Sequence, residues 1–169
     1  MMLSSLLTDA ALAALATRVA TVAQQHGLML ASAESCTGGW IAKALTDLSG
    51  SSAWFEAGVV SYSNEAKMSL LGVRRETLER AGAVSEATAL EMVSGALERL
   101  HAGVAVAVTG IAGPAGGTPE KPVGTVWIAW RRRGSEARAQ LFHFTGDREA
   151  VRRQTVAAAL EGVLQMLTV

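Results

Sequence analysis

Ala33-Glu34-Ser35-Cys36-Thr37-Gly38-Gly39 joins two segments of different periodicity, and the fold follows from how they meet. Upstream, Leu28 to Ala33 is a short apolar run that reads as a buried strand. Downstream, Trp40-Ile41-Ala42-Lys43-Ala44-Leu45 carries apolar residues at helical spacing. A strand, a tight glycine-rich turn and a helix leave backbone N–H groups free where the helix begins, and the helix dipole reinforces them. That arrangement suits a phosphate, a carboxylate or a developing oxyanion. A serine at such a turn is also placed like the nucleophile of other strand–turn–helix elbows. The same residues serve as well for helix capping, with Ser35 and Thr37 bonding the first turn.

Working outward, Ser4 to His26 carries Leu7, Ala11, Leu12, Leu15, Val19 and Val22 as a helical stripe that Gly27 can stop. The helix after the turn spans Gly38 to about Leu48 and ends in Ser49-Gly50-Ser51-Ser52, a loop by composition. Phe55 to Ser63 is the second strand, followed by a short helix, Asn64 to Leu71, capped by Ser63 or Asn64 and stopped by Gly72. Arg75 to Arg80 forms another helical turn. Ser85-Glu86-Ala87-Thr88 caps a long helix to about His101, with Leu90, Val93, Ala96, Leu97 and Leu100 on its buried face. Gly103 to Thr109 is an uninterrupted small-apolar run, the mark of a central strand covered on both faces. A glycine-rich loop, Gly110 to Lys121, leads to two strands, Val123 to Arg131 and Ala137 to Thr145, expected as an antiparallel hairpin turning at Arg133-Gly134-Ser135. Asp147 caps a closing helix to Met166. The expected fold class is α/β: a three-layer α/β/α sandwich around a mixed, mostly parallel sheet with a late antiparallel hairpin, in a single domain over residues 1–169.

Composition narrows the function. Half of the 169 residues are hydrophobic, and Lys+Arg balances Asp+Glu at 15 each, so a nucleic-acid surface is not expected. No apolar run is long enough to span a bilayer, and Met1 to Ala20 has no early basic cluster of a signal peptide. One cysteine, Cys36, forbids an internal disulfide and fits a reducing cytoplasm. The expected location is cytoplasmic, with no membrane and no nucleic acid among the partners.

In open α/β sheets, ligands bind beyond the carboxyl ends of the strands. Three such ends carry chemistry here: Ser35-Cys36-Thr37, Tyr62-Ser63-Asn64 with Lys67, and Thr109-Gly110. Ser35 needs a base, since a free hydroxyl is hardly ionised near neutral pH. His26, His101 and His143 are poorly placed, and no pair of them has metal-ligand spacing, so no metal is expected. Lys67 lies one helical turn beyond a strand end and can lean over the site. To act near pH 7 its pKa must fall by ~3 units, which desolvation or a nearby cation can supply. By position alone it reads first as a solvated lysine on an amphipathic helix. Tyr62, the only tyrosine, can relay a proton or position Ser35, or simply pack. Gly110 to Gly117 lacks the Lys-Ser/Thr ending of a phosphate-binding P-loop and reads as a wall that lets a ligand approach closely. Arg148, Arg152 and Arg153 open the last helix and can offer cations to a phosphate, or stay solvated. Arg131-Arg132-Arg133 is expected as a soluble hairpin tip. Cys36 is expected as a small buried residue whose N–H faces the oxyanion.

Together these blocks resemble the carboxy-terminal domain of the CinA family, the nicotinamide-nucleotide amidohydrolases. The matching text is Ala33 to Gly39, Gly58-Val59-Val60-Ser61-Tyr62-Ser63-Asn64-Glu65-Ala66-Lys67, Gly82 to Ser85, Ala107 to Pro114, Lys121 to Val126 and Gly146-Asp147-Arg148. The resemblance implies an α/β/α fold, no cofactor, and hydrolysis of the carboxamide of nicotinamide mononucleotide (NMN) to nicotinic acid mononucleotide and ammonia. It implies Ser35 as nucleophile and Lys67 as base, with Tyr62 and Thr109 assisting and Arg148 serving the site. Substrate contacts are expected from Cys36, Thr37, Gly38, Asn64, Gly110 and Arg148. The chain has no room for the amino-terminal pyrophosphatase domain that many members carry, so the amidohydrolase alone is expected. A homodimer through exposed apolar faces is compatible with the sequence. A non-catalytic nucleotide-binding module, a competence-associated interaction protein and an amidase for another small amide are the competing readings.

Overall fold

In the strand Val104–Gly110, valine and alanine alternate, and the two faces they define receive different partners. The computed structural model describes residues 7–169; Ser4, the expected start of the first helix, lies outside them with the rest of residues 1–6. Five strands form one sheet: β1 Leu30–Glu34, β2 Phe55–Val60, β3 Val104–Gly110, β4 Thr125–Arg132 and β5 Arg138–His143. Their spatial order is β2-β1-β3-β4-β5, with β1 parallel to both β2 and β3, while β3–β4 and β4–β5 are antiparallel. Four of the five strands therefore run one way. The helices are α1 Asp9–Gln25, α2 Trp40–Thr46, α3 Asn64–Leu71, α4 Arg75–Ala81, α5 Glu86–Arg99 and α6 Arg148–Thr168, with one 3-10 turn at Ser51–Ala53.

On one face of the sheet, Leu30, Val104, Val106, Val108, Val126, Ile128 and Trp130 pack under α1, α2 and α6. On the other, Ala31, Ala33, Ala105, Ala107 and Ala129 meet α3, α4 and α5. The alanines keep that layer thin. Gly95 of α5 lies so close to the carbonyl of Leu71, the end of α3, that a Cβ there would overlap it. On the opposite face, Gly162 leaves room for the Trp130 indole, whose Nε1 donates to the Ala159 carbonyl at 2.9 Å. The layers and the hairpin are those expected from the periodicity.

The element ends differ from expectation for local reasons. The helix after the turn starts at Trp40, not Gly38, because Gly38 and Gly39 take positive φ angles of 58° and 102°, outside the helical region. The first strand starts at Leu30 and runs on through Glu34, because the backbone of Leu28 is still completing the end of α1, where its N–H donates to Ala23. Ser63, not Asn64, caps α3: its hydroxyl accepts from Ala66 N–H at 3.0 Å.

The Arg131–Arg133 cluster is not a free hairpin tip. Arg133 donates to the carbonyls of Leu97, Leu100 and Ala102 around the end of α5, at 2.6, 3.3 and 3.1 Å. Arg132 donates to Met166 near the end of α6, and Arg99 to Leu71 at the end of α3. Unpaired carbonyls and the negative end of the dipole make a helix C-terminus a cation site, so the arginines close the bottom of the sandwich.

Candidate active site

The connection after β1 turns to the α1/α2/α6 face and the connection after β2 to the α3/α4/α5 face, so the chain parts where these neighbouring strands end. A cleft of about 260 Å³ opens there, lined by Ser35, Cys36, Tyr62, Lys67, Thr109, Gly110 and Arg148 together with Ala83, Val84 and the loop from Ile111 to Gly116. Three further residues on which the sequence reading placed substrate contacts are not in its wall. Asn64 is exposed on the outer turn of α3. Thr37 is fully buried and donates its hydroxyl to Glu34 at 2.6 Å. Gly38 commits its N–H to the Ser35 carbonyl at 3.0 Å, and so is not an open oxyanion donor. Among the described residues, the Thr37 N–H meets no protein acceptor and the Cys36 N–H meets only the sulfur of its own side chain.

Lys67 is brought to Ser35 by the geometry of α3. Three residues separate the end of β2 from the helix, and side chains on a helix lean toward its N-terminus. One turn in, Nζ reaches back to the strand end. It lies 3.0 Å from Ser35 Oγ, 2.8 Å from the Ser61 carbonyl and 3.4 Å from the Tyr62 carbonyl. Lys67 is 1% exposed, and burial pushes its pKa below the usual 10.5. A neutral amine has two hydrogens and one lone pair. With the hydrogens on the two carbonyls, the lone pair is left for the Ser35 hydroxyl.

The Tyr62 side chain, 58% exposed, does not bridge Ser35 and Lys67; its phenol oxygen accepts from Arg148 Nη2 at 2.9 Å at the rim of the cleft. Arg148 also donates to the Gly113 carbonyl at 2.7 Å, which joins the start of α6 to the glycine-rich wall. Thr109 donates to the Ala83 carbonyl at 2.8 Å, so its proton is committed and its oxygen remains only an acceptor. Gly110 is packed so tightly against Val126 that any side chain would collide with β4. Cys36 is buried and its thiol is pushed up to about 12, chiefly by desolvation, so it stays protonated and unreactive at neutral pH. Cys36→Ala should therefore keep close to full activity and native iodoacetamide should leave Cys36 unmodified, as mass spectrometry and a turnover assay can check.

Two residues hold the turn in roles that the sequence did not suggest for them. Glu34, 1% exposed at the end of β1, accepts from Thr37 Oγ1, from Ile41 N–H at 2.9 Å and from Ala42 N–H at 3.1 Å. These are the N–H groups that a capping side chain normally serves. Gly39, the residue at the cap position, has no side chain, and the carboxylate five residues earlier takes over. The N-terminus of α2 is thereby closed to a phosphate. Arg152, from the far end of the chain, donates to the carbonyls of Cys36 and Thr37 at 3.1 and 3.0 Å and lies over the Trp40 ring. Arg153 instead pairs with Asp9 and Glu149. Of the three arginines opening α6, only Arg148 lines the cleft.

Among the described residues, no three His, Cys, Asp or Glu side chains are grouped to hold a metal, and no helix is long and apolar enough to cross a membrane. Residues 12–167 match the CinA C-terminal domain. The chain is 52% identical over 159 residues to nicotinamide-nucleotide amidohydrolase PncC of Escherichia coli K12, covering 94% of this chain and 96% of that one. It is 53% identical over 154 residues to the protein of the same name from Pseudomonas putida, covering 91% and 96%. Among solved structures, the competence/damage inducible protein CihA of Agrobacterium tumefaciens superposes with a TM-score of 0.91 at 48% identity, over 96% of this chain and 97% of that one. Sequence and architecture agree across nearly the whole length, and the chain belongs to the CinA C-terminal domain family.

Proposed function

We propose that this protein hydrolyses the carboxamide of NMN, releasing ammonia and nicotinic acid mononucleotide, through a serine nucleophile activated by a lysine. The observation that carries the mechanism is the 3.0 Å approach of a buried, pKa-depressed Lys67 amine to Ser35 Oγ inside the cleft. The relatives named for the same reaction support the choice of substrate.

Neutral Lys67 takes the Ser35 proton as Oγ attacks the carboxamide carbon. The negative oxygen that forms is received by the N–H groups of Cys36 and Thr37. The lysine ammonium then protonates the amide nitrogen, the C–N bond breaks and ammonia leaves a Ser35 ester. Water, deprotonated by the same amine, attacks the ester, and the proton returns to Ser35 Oγ. The positive pyridinium ring of the substrate disfavours a second cation nearby and helps to hold Lys67 neutral. Arg148, at the mouth, is the cation placed to meet the substrate phosphate.

Ammonia release measured across a panel of small amides tests the reading. NMN should be turned over far faster than nicotinamide or free asparagine, and equal rates for all three would refute the substrate assignment. The pH dependence follows from Lys67. Below its folded pKa it is an ammonium without a lone pair, so kcat/KM should rise with pH through a midpoint lower than 10.5. The native state releases that proton more readily than the unfolded chain, so stability is lost as pH falls from 10.5 through the folded pKa. Lys67→Met should remove both dependences.

A further inference from the structure

The turn that carries Ser35 is fixed peptide by peptide. The Ser35 carbonyl is held by Gly38 N–H, and the next two carbonyls, of Cys36 and Thr37, are held by one guanidinium, that of Arg152. In a planar trans peptide the C=O and N–H point in opposite directions. Fixing the Ser35 carbonyl therefore aims the Cys36 N–H, and fixing the Cys36 carbonyl aims the Thr37 N–H. The guanidinium fork is itself restrained by the Trp40 ring, 5.5 Å from its Cζ. Its chain position, 116 residues beyond Cys36, makes it a brace from α6 onto a turn that belongs to β1 and α2.

We infer that Arg152 is a positioning residue for the oxyanion: through the Cys36 carbonyl it aims the Thr37 N–H, and through the Thr37 carbonyl it steadies the Gly38 N–H that holds the Ser35 carbonyl and so aims the Cys36 N–H, all without touching substrate itself. The inference rests on Ser35 as the nucleophile. It separates Arg152 from Arg148, whose guanidinium faces the cleft. Arg152→Met keeps an unbranched chain of similar reach and removes the fork; Arg152→Lys keeps the charge but supplies a point donor in place of the planar pair.

Steady-state kinetics on NMN and on its thioamide analogue, with unfolding followed by circular dichroism, provide the test. Arg152→Met should lower kcat on NMN by roughly 10²- to 10³-fold, the cost of a lost oxyanion donor, with KM nearly unchanged. Arg152→Lys should fall between it and wild type. Sulfur accepts hydrogen bonds weakly, so the fall should shrink by roughly tenfold or more on the thioamide, a ratio that misfolding would not change. Unchanged kcat, a KM rise with kcat held, or equal losses on both substrates would each overturn the inference. Ser35→Ala assayed alongside separates the two assignments. If that variant retains turnover, the nucleophile and this inference fall together. If it is inactive while both Arg152 variants match wild type, only the inference is lost.

Discussion

Ser35→Ala and Lys67→Met should each reduce ammonia release from NMN by at least roughly 10⁴-fold, and the double variant should be no worse than either alone. The hydroxyl and the amine act as one unit. Without the amine, Ser35 keeps its proton, and without the hydroxyl, Lys67 has no nucleophile to activate. Independent contributions would multiply instead, and a double variant far below both singles would show that the two residues work in separate steps. The variants should differ in stability. Ser35→Ala leaves the Lys67 amine with its two carbonyl partners and a slightly larger cleft. Lys67→Met removes a titratable group from a site that is almost fully closed to water, and an apolar chain of similar length fills it. Its melting temperature should match or exceed wild type near neutral pH, so that lost turnover cannot be assigned to lost fold. If instead Lys67→Met melts early and binds no NMN, the lysine is holding the structure rather than moving a proton.

The sheet and its helical layers were legible because burial there follows simple periodicity. Alternating valine and alanine in β3 marks a strand covered on both sides, and the glycines after α3 and within the turn mark where helices cannot continue. Ser35, Lys67, Thr109 and Arg148 were legible as residues at strand ends or helix starts, the places an α/β topology gathers together, and the structure does bring them to one cleft. The supports of the turn were not. Glu34 reads as a polar residue beside a serine, and its role depends on a bond to N–H groups seven and eight residues on, past two glycines in left-handed conformation. Arg152 acts across 116 residues, a distance no local pattern spans. Arginines 131–133 resemble a solvated tip because charge in a sequence does not reveal the helix ends it will meet. The Asn64 and Thr37 side chains were hard to read for the opposite reason: their polarity suggested contact with a ligand, and the fold turns the first outward and gives the second to Glu34, leaving Thr37 only its N–H.

Glu34→Ala should be the most destabilising single change at the turn, costing about 3–5 kcal/mol and lowering the melting temperature by roughly 10 °C. The carboxylate satisfies three donors, two buried and the third, Ala42 N–H, half-buried, and truncation leaves the Thr37 hydroxyl and the Ile41 and Ala42 N–H groups without that acceptor. A negative group beside the first turn of α2 is also lost, a smaller term of about 0.3–1 kcal/mol. Glu34→Gln preserves volume and one oxygen but turns an NH₂ toward groups that are themselves donors, so it should lie between alanine and wild type. Glu34→Ala should lose activity along with stability, because the Cys36 and Thr37 amides are displaced when their anchor is gone, whereas Glu34→Gln should lose activity only as it begins to melt. A carboxylic acid that took part in proton transfer would behave differently. Glu34→Gln would then lose turnover at an unchanged melting temperature, and low temperature would not restore it. The cap predicts the opposite: assayed well below its melting transition, Glu34→Gln should recover most of the wild-type rate, since the turn needs an acceptor at that place and not a proton.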